Sequence, residues 1–329
     1  MAVPDDIPWR IFHGTGTPHT TPLPAPPPWR SISRSRRENG AVDPAAAAAL
    51  RPYVIGPSEV DVVNAALHLR RPLLVTGRPG TGKSTLAEAI AAELSLGSVL
   101  RWPVNSRSLL TEALYRYDAV GRLRESAMNA GDEGSEPDIG TFIRLGPVGT
   151  ALVAQEQPRV LLIDELDKSD LDLPNDLLSV FEDGEFDIPE LARLPDEQSE
   201  VQVMVTGSRD RVAVRGGVVR CTEFPIVVIT SNGERDFPAA FLRRCVRLDL
   251  PDLDETRLRD IVRAHLGDDS LRVAETEALI QTFLERRTVG ELATDQLLNA
   301  IHLRLTGVRL GHDELMRAVL HRLDDMGQG

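Results

Sequence analysis

Short apolar runs alternate with segments of helical periodicity over much of the chain. These runs are mostly apolar or β-branched, which predicts buried strands. They cover residues 72–76, 99–104, 160–163, 225–230 and 245–250. Residues 59–67 and 84–94 carry apolar side chains at helical spacing and predict helices. Strands separated by helix-length segments are typical of a parallel sheet with helices on both faces, so the pattern predicts an α/β fold.

The pattern changes after Pro251, beyond which no strand is predicted. Helical periodicity continues in residues 255–265, 275–286, 294–305 and 313–323. We therefore expect a smaller all-helical domain over residues 251–329. It would follow an α/β domain over residues 53–250.

Two inserts interrupt the predicted α/β domain, near residues 105–150 and 186–224. Within the first, residues 129–140 are rich in Gly, Asp, Glu and Pro and predict a mobile loop. Within the second, residues 201–205 and 211–219 predict a hairpin.

Residues 1–52 have a different composition from the rest. Eight prolines precede position 30, and proline lacks the backbone N–H that helices and sheets use. We therefore predict an irregular, Pro-rich N-terminal extension. Its apolar side chains at Trp9, Ile11, Phe12 and Trp29 leave two interpretations open, a solvated tether or a segment packed on the domain or on a neighbour.

The chain has a formal net charge of -13. This balance disfavours tight, non-specific binding to nucleic acid, because Lys and Arg contacts to phosphates supply most of that affinity. The two cysteines form neither a disulfide framework nor a metal-binding motif. No uncharged apolar stretch approaches the ~18 residues of a membrane span, so we expect a cytoplasmic protein that contacts no membrane.

A phosphate-binding motif lies between the first predicted strand and the helix after it. Residues 77–84 match the pattern GxxxxGK[ST] in the context that this motif requires. Its glycines allow backbone N–H groups to surround phosphates, while Lys83 supplies a cation and the Ser84 hydroxyl is a hard oxygen ligand for Mg²⁺. The predicted nucleotide-binding residues here are Gly77, Arg78, Pro79, Gly80, Thr81, Gly82, Lys83, Ser84 and Thr85.

Two adjacent carboxylates, Asp164 and Glu165, follow the apolar run at 160–163. Together with the loop at Lys83 they predict the second half of a phosphoryl-transfer site. Asp164 would hold the magnesium together with Ser84. Glu165 would orient and deprotonate the attacking water, the base function that this chemistry demands.

These motifs resemble the AAA+ superfamily, and within it the MoxR-like and dynein-related group, over roughly residues 53–305. The residues that carry the resemblance are 73–80, 162–168 and the helical segment 175–182. The resemblance implies a P-loop sheet with a helical lid, and ATP and Mg²⁺ as cofactors. It also implies a ring-forming ATPase of hexameric type, in which ATP lies between subunits.

The resemblance also assigns roles to single residues. Asn232 matches the first sensor, which helps to hold the attacking water. Arg244 matches the arginine finger, which acts on the ATP of the neighbouring subunit, and Arg243 is the alternative for this role. Asn105 resembles a polar switch residue that holds Glu165 inactive. Residues 292–296 match the place of a second sensor arginine but contain none, which puts nucleotide-driven lid closure in doubt.

Members of this group resemble bacterial chaperones that mature or remodel partner proteins, often ones with a von Willebrand factor A domain. We therefore expect a protein client, and we expect the two inserts to face it. Two alternatives remain open at this point. One is a translocase or loader stimulated by nucleic acid, and the other is an assembly switch gated by nucleotide with little turnover.

Overall fold

The computed structural model describes residues 53–128, 137–153, 156–272, 274–287 and 292–306. The predicted N-terminal extension and the predicted helix at 313–323 lie outside these residues. The strands, numbered in chain order, are β1 (Leu73–Thr76), β2 (Leu100–Pro103), β3 (Tyr115–Tyr117), β4 (Ile143–Leu145), β5 (Val160–Asp164), β6 (Glu185–Asp187), β7 (Glu200–Met204), β8 (Arg211–Arg215), β9 (Val218–Arg220), β10 (Ile226–Ser231) and β11 (Val246–Asp249).

The helices of the described residues surround and follow these strands. They are α1 (Pro57–Leu69), α2 (Lys83–Glu93), α3 (Leu110–Leu114), α4 (Ala119–Met128), α5 (Pro147–Ala151), α6 (Leu173–Asp183), α7 (Pro189–Ala192), α8 (Ala239–Leu242), α9 (Glu255–Leu266), α10 (Ala274–Arg287) and α11 (Thr294–Leu305). Among them, no helix combines the length and apolar character that crossing a membrane requires.

The central sheet contains the five predicted strands, all parallel, in the order β11-β1-β10-β5-β2. Leu73 and Val75 of β1 pack with α1 and α2 on one face, while Leu74 packs with α6 on the other. Because both faces are covered, β10 is buried along its whole length. The predicted α/β fold class is therefore confirmed.

A second sheet of six strands lies beside the first, in the order β3-β4-β7-β8-β9-β6. The predicted hairpin forms its centre as β7, β8 and β9. The three-residue strands β3, β4 and β6 were not predicted, because so short a run carries no clear period of two. The two inserts, expected as separate features, therefore meet in one sheet through the parallel pairing of β4 with β7.

The predicted mobile loop at 129–140 falls largely outside the described residues. At its end the prediction is wrong, because Ile139–Phe142 forms a turn of 3₁₀ helix. The Asp138 side chain caps this turn by accepting a hydrogen bond from the Gly140 N–H at 3.0 Å.

Helices α9, α10 and α11 bury a shared apolar core of their own. It includes Leu258 and Val262 from α9, Phe283 from α10, and Leu297 and Ile301 from α11, all fully buried. This core is separate from the clusters on either face of the central sheet. The chain therefore has the helical part that the sequence predicted after the sheet.

Candidate active site

The phosphate-binding loop joins β1 to α2, where two of its glycines are held in left-handed conformation against other parts of the chain. Gly82 has φ of 90° and ends the loop as the residue before α2. A Cβ atom there would lie 3.2 Å from the ring of Tyr53. Gly80 has φ of 75°, and a Cβ atom there would lie 2.5 Å from the Ala293 Cα. The dihedral angles favour glycine at both positions, and at Gly80 the space also excludes a Cβ atom.

The loop is also bonded to the first residue of α11. The Thr294 hydroxyl donates a hydrogen bond of 2.6 Å to the Gly80 carbonyl. This is the stretch in which the resemblance placed a second sensor arginine and the sequence has none. In this chain, a threonine and a close backbone approach connect the helical part to the loop.

Replacing Gly80 by alanine is expected to push the phosphate-binding loop away from the start of α11. Gly216 has φ of 58°, and a Cβ atom added there would meet nothing within 4 Å, so it is the matched control. We expect Gly216→Ala to lower the free energy of unfolding by about 1 kcal/mol from the dihedral angle alone. Gly80→Ala should lose a further ~1–3 kcal/mol from overlap with Ala293 and Thr294. Urea unfolding without nucleotide measures both, and equal losses would contradict the contact.

Lys83 begins α2 and is 7% exposed. Its ammonium group donates hydrogen bonds to the carbonyls of Gly77 at 2.7 Å and Arg78 at 2.9 Å. The predicted cation is therefore held inside the loop, beside the helix N-terminus. Free N–H groups at a helix N-terminus and a lysine together favour a bound anion.

The predicted metal ligands Ser84 and Asp164 meet at the carboxyl end of the central sheet. The Ser84 hydroxyl donates to the Asp164 Oδ1 atom at 2.7 Å. The Thr230 hydroxyl donates to the same oxygen at 2.7 Å and accepts the Glu165 N–H at 2.8 Å. A hydroxyl and a carboxylate are hard oxygen donors and fit Mg²⁺, which keeps few protein ligands and takes phosphate oxygens as well.

Glu165 stands at the turn after β5 with φ of 61°, a left-handed conformation that is rare for a residue with a side chain. Its carboxylate is half exposed and forms an ion pair of 2.9 Å with Lys168. The hydrogen bond from Lys168 to Glu165 raises the pKa of the Lys168 ammonium. The predicted base is therefore paired with a cation in this structure.

Asn232 directly follows β10, and Asp167 fixes its backbone. The Asp167 Oδ2 atom accepts the N–H groups of Asn232 at 2.9 Å and Glu234 at 3.1 Å. Asp167 is 3% exposed, and its Oδ1 atom has no hydrogen-bond partner within the described part of the chain. Asp167 and Thr230 thus join the turn of Glu165 to the turn of Asn232, and sequence reasoning assigned neither of them a role.

A cavity of about 460 Å³ opens over these residues. Its lining includes the predicted residues Pro79, Gly80, Thr81, Gly82, Lys83, Ser84, Thr85, Asp164, Glu165 and Asn232. Gly77 and Arg78 do not line it but contribute the carbonyls that hold Lys83. Ten residues predicted from separate motifs therefore share one cavity.

The rest of the cavity lining was not predicted. It includes Tyr53, Val54, Arg257, Ile261 and Leu298, which come from the segment before α1 and from the helices after the sheet. The Tyr53 hydroxyl is buried with no hydrogen-bond partner among the described residues, and burial raises its pKa to about 12. A buried polar atom of this kind fits a polar ligand in the cavity.

Arg257 connects parts of this lining through hydrogen bonds. Its guanidinium donates to both carboxylate oxygens of Glu59, at 2.6 and 2.9 Å, and to the Val54 carbonyl at 3.3 Å. Burial would raise the pKa of Glu59, but the hydrogen bonds from Arg257 and from the Gly56 N–H outweigh it and lower that pKa. Sequence reasoning missed this pair because its members are 198 positions apart.

The remaining predicted residues lie away from the cavity. Arg244 is exposed, forms an ion pair with Glu182, and donates to the Ala240 carbonyl at 3.2 Å. Asn105 forms no hydrogen bond with Glu165 in the described part of the chain: its side chain accepts the Arg107 N–H at 2.9 Å and so stabilises a turn. The role of Asn105 as a switch residue therefore stays a prediction.

Comparison with known proteins gave one family match. Residues 72–245, more than half of the chain, match the family model described as AAA domain (dynein-related subfamily). No curated protein matches the chain.

The solved structures that match this chain include two at low identity. One is NtrX from Brucella abortus in complex with ADP, with a TM-score of 0.41 and 16% identity over 80% of this chain and 52% of that one. The other is a variant of RuvB from Thermotoga maritima, with a TM-score of 0.39 and 15% identity over 82% of this chain and 71% of that one. The chain thus spans about half the length of NtrX.

Proposed function

The chain belongs to the dynein-related subfamily of AAA domains, and from this premise we propose that it is an ATPase that hydrolyses ATP with Mg²⁺. The observation that carries the proposal is the network of Ser84, Asp164 and Thr230 beside Lys83 and Glu165. It brings the residues that we propose as phosphate loop, metal ligands and base to one cavity. These are the parts that phosphoryl transfer requires.

Each residue would have a distinct task in this reaction. Lys83 and the N-terminus of α2 would bind the β and γ phosphate oxygens, and Glu165 would take a proton from the attacking water. Asn232 would orient that water from a backbone that Asp167 fixes. Ser84 and Asp164 would hold Mg²⁺, which neutralises charge on the phosphates when bound.

The part of the cavity lining that was not predicted would hold the nucleoside. Val54, Ile261 and Leu298 offer apolar surface, and the buried Tyr53 hydroxyl offers a hydrogen bond. Because Arg257 links Glu59 to α9, this part of the lining is built from both the α/β part and the helices after it. Such a site would couple nucleotide binding to the position of a lid over residues 251–329.

We further propose a ring, of hexameric type, in which Arg244 acts on the ATP of the adjacent subunit. The exposed position of Arg244 outside its own cavity supports this arrangement. The proposed client is a protein that the ring remodels or matures as MoxR-like chaperones do, in the cytoplasm, and one with a von Willebrand factor A domain is a candidate. The two inserts, joined in the second sheet, would face that client.

A switch with little turnover is the second candidate, and the ion pair between Glu165 and Lys168 favours it. A carboxylate held in this ion pair is not free to turn toward a water molecule until the pair opens. In this alternative, partner binding rather than ATP alone would free Glu165.

Specific ATPase activity is expected to rise with protein concentration as a ring forms, since each site would need a residue from its neighbour. The measurement is phosphate release from the full chain over a range of concentrations with ATP and Mg²⁺, with mass determined in parallel by light scattering. A monomer at every concentration with a constant, negligible rate would contradict the ATPase proposal and favour the switch.

A further inference from the structure

The exposed face of the second sheet carries a row of positive charge. Arg116 of β3 lies opposite Arg144 of β4, Arg144 lies opposite Met204 of β7, and Met204 lies opposite Arg211 of β8. We call these four residues the arginine row. Their neighbours Ile143, Leu145 and Val203 are fully buried, so the row faces away from the core.

Two other arginines on this face have a different environment. Arg215 lies opposite Glu200 and pairs with it at 2.6 Å. Arg220 lies opposite Glu185 and also forms an ion pair with it. At this end of the sheet, each arginine therefore has an acidic partner in cross-strand register.

The arginine row lacks such partners. Arg116 and Arg144 lie directly opposite each other, an arrangement of like charges that destabilises a sheet. Arg116 contacts Glu112 at 3.4 Å and Arg211 reaches Asp138 at 4.0 Å, both on the exposed surface. Arg144 contacts the Met204 sulfur at 3.4 Å, and no carboxylate of the described residues pairs with it. Folding alone does not account for this placement in a chain of net charge -13.

We propose that the arginine row binds an acidic, extended segment of the client protein, an inference that rests on the proposed remodelling function. The row crosses four strands and so spans about 14 Å. An extended peptide places alternate side chains about 7 Å apart, so three carboxylates at alternate positions match its length. Guanidinium groups bind carboxylates with two parallel hydrogen bonds.

A polypeptide fits this surface better than a nucleic acid does. Single-stranded nucleic acids bind basic grooves through bases stacked on aromatic rings. The tyrosines of β3, Tyr115 and Tyr117, pack against the core on the opposite face instead. Three arginines also neutralise few phosphates, which gives weak binding at physiological salt.

The test measures binding of a fluorescent peptide of alternating Glu and Ser to the full chain by anisotropy. The variant carries Arg116→Glu and Arg144→Glu, and the matched control carries Arg215→Glu and Arg220→Glu. Both reverse two charges on the same face and put like charges opposite each other. We expect about tenfold weaker binding or more in the row variant, little change in the control, and weakening with salt in the wild type.

Any of the following results would overturn the inference. These are equal binding by the two variants, equal binding of a peptide with Gln in place of Glu, tighter binding of single-stranded DNA through the same arginines, and loss of assembly in the row variant. The peptide could also bind only after Asp132, Glu133 and Glu136 are changed to amides. In that case the arginine row would bind these acidic residues of the chain itself and not a client. Basal ATPase activity is measured separately. If the chain binds the peptide but does not hydrolyse ATP, only the proposed function is rejected.

Discussion

Replacing Glu165 by glutamine is expected to lower the rate of ATP hydrolysis by about 10²- to 10⁴-fold, the contribution of a positioned general base. Glutamine keeps the shape of the side chain and its position at the turn after β5, but it cannot accept the proton of water. Nucleotide binding should persist, because Lys83, Ser84 and Asp164 are unchanged and Thr230 still accepts the backbone N–H of residue 165. Single-turnover rates and the affinity for a fluorescent ATP analogue separate the two effects.

The ion pair between Glu165 and Lys168 supplies the control for this experiment. Lys168→Gln removes the same pair but leaves the carboxylate. We expect its hydrolysis rate to stay within a few-fold of the wild type, or to rise if the pair restrains the base. Equal losses in Glu165→Gln and Lys168→Gln would show that the pair, and not proton abstraction, sets the rate.

Replacing Arg244 by alanine should lower hydrolysis by about 10³-fold or more, the contribution of an arginine finger in related chemistry. The guanidinium would stabilise charge that develops on the transferred phosphoryl group, while binding of ATP to the cavity would change little. Arg243→Ala is the matched control, because Arg243 is exposed, adjacent in sequence and of the same charge. A similar loss in both variants would contradict a specific role for Arg244.

Mixing the two inactive variants tests whether Arg244 acts between subunits. A subunit with Arg244→Ala retains Glu165, and a neighbour with Glu165→Gln retains Arg244. At random equal mixing, about one interface in four in a head-to-tail ring combines the intact halves. Recovery of activity near that fraction is expected. No recovery, with mass spectra that prove mixed rings, would place Arg244 in its own subunit's site.

The sequence by itself determined the parts of the site that lie on short continuous stretches. The phosphate loop between a strand and a helix, and the carboxylates Asp164 and Glu165 at a strand end, are local patterns whose geometry follows from neighbouring residues. The five strands of the central sheet could also be predicted from the sequence, because strands covered on both faces are nearly continuous apolar runs. Helix α11 was predicted with the bounds it has, Thr294–Leu305.

Only the tertiary structure decided which distant residues meet. Thr230 and Asp167 connect turns about 65 positions apart, and Arg257 pairs with Glu59 across 198 positions. The arginine row exists only because two inserts join in one sheet, where cross-strand register sets which side chains lie opposite each other. Local propensity cannot give these contacts, because they depend on the register and packing of elements far apart in the chain.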